Sequence, residues 1–368
     1  MLNSVGRSFT VSRALVFLSA VLGFFLIPAF REGASVPLSE HAPWFLSMWY
    51  QWDANWYMSI AQHGYQWVSG DQSNVAFFPL YPWAAKAVGL LLGRRYLLSG
   101  LLLSAGFLVA GLAFLYRLVR MDFGQDVARR TVWLVSIFPT AFFFSSFYTE
   151  SLFLLTSVAC FYYGRRGRWA AAGAFGLLAS LTRIAGLLLI VPLAYEYLSK
   201  RSFSPLKSLR PALLWLTLVP GGLAVYMGYL YFGFGRPFAF AESQSAGWGH
   251  AMTPLLSSFT GDFHHLFAQS EWWVIWDVAA TLLMAVCAVL AFKKLPASYA
   301  LYTLASLLFP LAGGTMKSMS RYALVVFPVF VLLAMLAGRR RLYWVMSALS
   351  LGLLAVSTAV FASGRWIA

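Results

Sequence analysis

Apolar runs of about 15 to 25 residues recur along this chain, parted by short clusters of Arg and Lys, and few folds accept such a pattern. Inside hydrocarbon a helix satisfies its backbone hydrogen bonds within one segment, so the runs predict membrane helices. Composition agrees: 60% of the residues are hydrophobic and 11% charged, where a soluble globular domain carries about 25% charged. The runs fall at 12–30, 97–118, 129–147, 150–164, 169–182, 184–199, 211–233, 273–292, 297–313, 322–337 and 343–362. That is about eleven spans in one all-α, polytopic integral membrane domain covering residues 1–368. The run from Val11 to Phe30 is too long for a signal-peptide core and no clear small-residue cleavage site follows it, so it reads as a retained span.

A net charge of +15 would suggest nucleic acid in a soluble protein. Here about two thirds of the 27 basic residues fall in alternate connections, among them Arg7 and Arg13, Arg129 and Arg130, Arg165 to Arg168, Lys200 and Arg201, and Arg339 to Arg341. By the positive-inside rule those connections are cytoplasmic, as is the N-terminus; the bilayer is the partner and nucleic acid is not. Cys160 and Cys287 lie within apolar runs and read as small buried hydrophobes rather than a disulfide or metal set.

Two long segments then face outward. Residues 31–96 form the first outer loop, with amphipathic stretches at 44–63 and 77–93 that read as interfacial helices. Residues 234–272 form the second, with Glu242, His250, Asp262, His264, His265 and Glu271. Adjacent histidines rarely face one way and no matched second pair exists, so no metal site is assigned. No Asp-x-Asp pair occurs either, which argues against a metal-dependent nucleotide-sugar site.

The first outer loop holds the most unusual cluster, Trp49-Tyr50-Gln51-Trp52-Asp53-Ala54-Asn55-Trp56-Tyr57, in a chain with only 12 acidic residues. A carboxylate among rings suited to headgroup depth can take a proton from a sugar hydroxyl. Its alternative role is a helix cap. On a helix, Trp49, Trp52, Trp56 and Tyr57 would share one aromatic face able to stack on a sugar.

Four further ionisable residues fall at the same outer face. The spans at 150–164 and 169–182 reach only about 22 Å, and Glu150 and Arg183 stand at their ends, where short helices leave room for a polar cavity. Glu150 suits a sugar hydroxyl, a partnership with Arg183, or the dipole at a helix start. Arg183 offers a fork to a phosphate, or snorkels to the interface. Lys317 and Arg321, in Gly313-Gly314-Thr315-Met316-Lys317-Ser318-Met319-Ser320-Arg321-Tyr322, put two cations in an outer turn, where backbone N–H groups and both side chains can converge on a phosphate. Interfacial anchoring is the simpler explanation of that pair.

The block Trp52-Asp53-Ala54-Asn55-Trp56-Tyr57-Met58-Ser59-Ile60-Ala61-Gln62-His63-Gly64-Tyr65, followed by Ala76-Phe77-Phe78-Pro79-Leu80-Tyr81-Pro82, resembles the signature of the PIG-V family. Phe138-Pro139-Thr140 with Tyr148-Thr149-Glu150-Ser151, Ala179-Ser180-Leu181-Thr182-Arg183, and Ser320-Arg321-Tyr322 with Phe327-Pro328 look like further blocks of that family in the same order. The family comprises membrane mannosyltransferases that add the second mannose to GPI precursors, together with bacterial relatives. The resemblance implies a GT-C type glycosyltransferase of bacterial type, in the inner or plasma membrane, working on the extracytoplasmic face. Its donor would be a polyprenyl-phosphate sugar, mannose by likeness, and its acceptor a glycolipid or glycan, with no cofactor and no metal. Asp53 would be the catalytic aspartate. Trp52, Trp56, Tyr57, Glu150, Arg183, Lys317, Arg321 and Tyr322 would bind substrate. Ala54 follows Asp53 where protein O-mannosyltransferases carry a second acid, which disfavours a protein acceptor. The rival class is a transporter or flippase of lipid-linked glycans, which would ordinarily line a path from both faces. An accessory membrane subunit leaves no mark in the sequence.

Overall fold

The computed structural model describes residues 1–28, 43–204, 209–249 and 273–367. The end of the first predicted span, the start of the first outer loop, and most of the second outer loop with His250, Asp262, His264, His265 and Glu271 lie outside the described residues.

The helices, in chain order, are α1 (Leu2–Leu26), α2 (Ala54–His63), α3 (Leu80–Leu91), α4 (Tyr96–Phe123), α5 (Gln125–Ser136), α6 (Glu150–Arg165), α7 (Trp169–Thr182) and α8 (Ile190–Ser199). They continue with α9 (Leu218–Phe234), α10 (Ala239–Trp248), α11 (Trp273–Lys294), α12 (Ala297–Ala312), α13 (Met319–Val325), α14 (Phe327–Leu336) and α15 (Arg340–Ala362). Single 3-10 segments precede α3, α6, α8 and α9, a single helical turn spans Trp44–Ser47, and no strand occurs among the described residues. Among these residues five helices are long and apolar enough to cross a membrane, or six if the bent pair α13 and α14 counts as one; Trp169–Thr182, Ile184–Ser199 and Ala297–Ala312 are shorter apolar helices. The protein is thus an all-α integral membrane protein, while the count of about eleven spans does not follow from helix length alone.

Three expected helices are broken, each for a local reason. The run at 129–147 stops as an α-helix at Ser136 and continues through turns and the 3-10 segment Ala141–Ser145, because Pro139 has no N–H for the Val135 carbonyl. The run at 322–337 bends by 77° between α13 and α14, where Pro328 cannot donate to Leu324. The stretch 44–63 is helical only at Trp44–Ser47 and in α2, because Trp52 sits in the left-handed region with φ 54°. Trp49 and Trp52 therefore precede α2 and do not share a helical face with Trp56 and Tyr57.

The chain divides into two compact units. The first comprises Met1–Tyr65, Tyr81–Ser151 and Leu333–Ala368. Within it α1 packs on α15, where a side chain on Gly23 would run into the backbone of Ala359, so the helices touch without side chains between them. Arg13, assigned by charge pattern to the cytoplasmic end of the first span, lies within α1. Its guanidinium donates to the carbonyls of Ser136 (2.9 Å) and Ala141 (2.7 Å) and to Ser145 Oγ (2.9 Å). It thereby satisfies acceptors that the break after α5 leaves without helical partners.

The second unit comprises Gln66–Leu80 and Leu152–Leu332. Here α7 packs on α9 through Gly173 and Gly222, each set against backbone of the facing segment. One end of α6 is held by charge: Lys200 Nζ donates to the carbonyls of Gly164 and Arg165, as cations near a helix C-terminus should. Arg165 pairs with the buried Glu196 at 3.0 Å, and Glu196 also accepts from Ser298 Oγ at 2.6 Å. Cys160 and Cys287 are buried free thiols, as expected.

Candidate functional site

In the first unit the loop before α2 is fastened from two sides. The Tyr148 hydroxyl accepts from the Asp53 N–H at 3.2 Å and donates to the Gln51 carbonyl at 2.9 Å. Asn55 Nδ2 donates to the Trp52 carbonyl at 3.0 Å. Between these bonds Trp52 keeps its left-handed backbone, and its ring meets Trp366 edge-on with centroids 5.1 Å apart. The Trp52 indole N–H is buried and has no hydrogen-bond partner among the described residues.

Asp53 stands at the N-cap position of α2, yet its side chain makes no capping hydrogen bond, and the residue is half-buried. The cap alternative thus holds for its position and fails for its carboxylate. Trp56 is half-buried, whereas Tyr57 is buried, its ring 5.8 Å from Tyr81 and 6.2 Å from Tyr148, its hydroxyl 3.5 Å from Thr149 Oγ1. Tyr57 packs against the site rather than forming an open stacking face.

Glu150 is the first residue of α6 and wholly buried, a position the helix dipole favours for an acid. Tyr81 donates to the Gly100 carbonyl at 3.1 Å and lies 2.9 Å from Ser104 Oγ. Burial pushes the Tyr81 phenol well above its ordinary range, with Tyr57 and the Glu150 carboxylate adding in the same direction. Burial also pushes Tyr50 up, to about 12. Both phenols are therefore neutral at physiological pH.

In the second unit Arg183 follows α7 in extended conformation, its guanidinium 5.5 Å from the centre of the Tyr322 ring. Lys317 is exposed, but Arg321 belongs to α13 rather than to a loop and is buried. The expected backbone cradle is already filled from within the protein. Asp277, fully buried, accepts from the N–H of Ser318 at 2.9 Å, the N–H of Ser320 at 2.9 Å and Ser320 Oγ at 2.7 Å. The Lys317 N–H donates to Thr315 Oγ1 at 3.0 Å. Any phosphate here would rely on side-chain cations.

Arg183 and Tyr322 thus come together, as do the Asp53 backbone and Tyr57 with Tyr148, and Glu150 acts on Tyr81, which neighbours Tyr57; Glu150 belongs to the first unit and Arg183 to the second. Sequence reading missed Tyr148 as a partner of the Asp53 loop, and missed Asp277 altogether. The signal for Asp277 was present: it is the one acid in the apolar run 273–292, and an ionisable residue there asks for a reason. No group of three His, Cys, Asp or Glu among the described residues is arranged to hold a metal ion.

The sequence matches the family model described as Mannosyltransferase (PIG-V) over residues 26–292. No curated protein matches it. Among solved structures, ArnT from Cupriavidus metallidurans bound to undecaprenyl phosphate is similar in fold, with a TM-score of 0.55 at 16% identity over 95% of this chain and 63% of that one. The oligosaccharyltransferase AglB from Archaeoglobus fulgidus, in complex with an inhibitory peptide and a dolichol-phosphate, gives 0.43 at 13% identity over 96% and 55%. The chain spans less than two thirds of the length of either.

Proposed function

The chain belongs to the PIG-V mannosyltransferase family, and from this premise we propose that it is a membrane glycosyltransferase of the GT-C type that moves mannose from a polyprenyl-phosphate donor to a hydroxyl of a lipid-linked or glycan acceptor. The observation that carries the reading is Asp53: a half-buried carboxylate at a helix start, not used as a cap, on a loop clamped by Tyr148.

Asp53 takes the proton of the acceptor hydroxyl as its oxygen attacks the anomeric carbon of the donor. The bond from that carbon to the phosphate oxygen breaks, its electron pair leaves with polyprenyl phosphate, and attack opposite the departing group inverts the configuration. Negative charge grows on the phosphate, and Arg183, Lys317 and Arg321 are the cations assigned to stabilise it. A phosphodiester donor carries one charge, so the transfer proceeds without a metal. Trp52 and Trp56 offer ring surface to a sugar and Glu150 an acceptor for its hydroxyls, Tyr57 backs the Asp53 loop, and Tyr322 lies beside the Arg183 guanidinium.

The undecaprenyl phosphate bound by ArnT supports a lipid phosphate as donor carrier. The placement of basic residues supports an extracytoplasmic site, and the resemblance to bacterial members of the family implies the inner or plasma membrane.

The test uses purified protein in liposomes with polyprenyl-phosphate-mannose labelled in the sugar and total membrane lipid as acceptor. Label passes to an acceptor with the native chain, and Asp53→Asn inserts normally but loses at least about a hundredfold in rate. Undiminished transfer by Asp53→Asn would falsify the assignment.

A further inference from the structure

Asp277 is a fully buried carboxylate in the first turns of the apolar helix α11, and no step of the transfer uses it. A charge so placed is costly unless hydrogen-bonded, and here one short segment offers it the N–H groups of Ser318 and Ser320 and the Ser320 hydroxyl. That segment has little stiffness of its own. Gly314 and Ser318 both have left-handed backbones, at φ 88° and 66°, and Gly313 precedes them. Ser318 is also where α13 starts, its carbonyl accepting from the N–H groups of Arg321 (3.0 Å) and Tyr322 (2.9 Å). Whatever fixes residues 318–320 therefore fixes the direction in which Arg321 and Tyr322 leave the turn.

We propose that Asp277 is the positioning residue of the basic turn: its carboxylate locks Ser318 and Ser320 and so sets Arg321 for the lipid phosphate. This rests on the reading of Arg321 as a phosphate cation. The geometry supplies a second effect in the same direction. With Ser318 and Ser320 amides held by a carboxylate, a phosphate is steered away from the backbone and towards the side-chain cations.

The experiment measures binding of undecaprenyl phosphate to the full purified chain, by thermal-shift titration in detergent, for the native protein, Asp277→Asn, Arg321→Gln and the double variant. An asparagine turns an N–H donor toward amides that need an acceptor, so Asp277→Asn weakens Kd about tenfold. In the Arg321→Gln background the same change costs less than about twofold, because its effect runs through Arg321. A purely structural role lowers the melting temperature of the ligand-free protein and leaves Kd unmoved, which overturns the proposal, as does an equal loss in both backgrounds. Native binding by Arg321→Gln alone overturns the underlying reading instead, and the two failures are thereby separated. Should Asp277→Asn not fold, Ser320→Ala removes one of the three bonds and takes its place in the same cycle, with a loss of about threefold that again vanishes beside Arg321→Gln.

Discussion

The Tyr148 hydroxyl bridges the backbone on both sides of Trp52, accepting from the Asp53 N–H at 3.2 Å and donating to the Gln51 carbonyl at 2.9 Å. One buried hydroxyl thus closes the left-handed kink that brings Asp53 to the start of α2. Phenylalanine keeps the ring packed on Phe143, 4.9 Å away, and removes both bonds. Tyr148→Phe is expected to lower kcat about tenfold with the donor KM little changed, because a loosened base is misplaced rather than a binding group lost. Initial rates over a range of donor concentration check this; a change confined to KM would contradict it.

Trp52 carries a buried indole N–H without a hydrogen-bond partner among the described residues, beside the carboxylate assigned as base. A buried donor costs about 1 to 3 kcal/mol if nothing accepts from it, so a substrate hydroxyl is its expected partner. Trp52→Phe keeps a ring against Trp366 and removes the donor. The acceptor KM should rise about tenfold while binding of undecaprenyl phosphate stays at the native value. Loss of both together would point instead to a collapsed loop.

Arg13 bonds two carbonyls and a hydroxyl where α5 breaks, all in part-buried surroundings. Arg13→Met should therefore destabilise the protein by about 3 kcal/mol, by orphaning several acceptors at once. Arg13→Lys recovers part of this, since one ammonium cannot span all three as a planar fork does. Thermal unfolding in detergent ranks native above Lys above Met; equal melting temperatures would remove Arg13 from this role.

How far such features are legible in the sequence depends on the range of the interaction. The apolar runs are local and long, so helix positions such as those of α4, α11 and α15 follow from them. The breaks after α5 and before α14 were also written locally, in Pro139 and Pro328, but a strong apolar run hides a proline until its missing N–H is counted. The kink at Trp52 has one local support in Asn55, but its other clamp is distant: Tyr148 lies 95 residues beyond Asp53 in sequence. Asp277 and Ser320 are likewise 43 residues apart, so a phosphate cradle of open amides seemed available where a carboxylate already sits. Single residues with chemistry could be picked out; the partners that orient them could not.

Arg183 places its guanidinium 5.5 Å from the Tyr322 ring centre, within reach of a cation–π contact. Snorkelling alone would need only a cation, and lysine would serve it equally. A role in grasping phosphate needs the two parallel N–H donors, which lysine lacks. Arg183→Lys is therefore expected to weaken undecaprenyl phosphate binding about tenfold, and Arg183→Gln by about a hundredfold as the charge is also lost. Titration of the two variants decides between the roles: native affinity in Arg183→Lys would leave Arg183 as an interfacial anchor, and a graded loss assigns its fork to the leaving group.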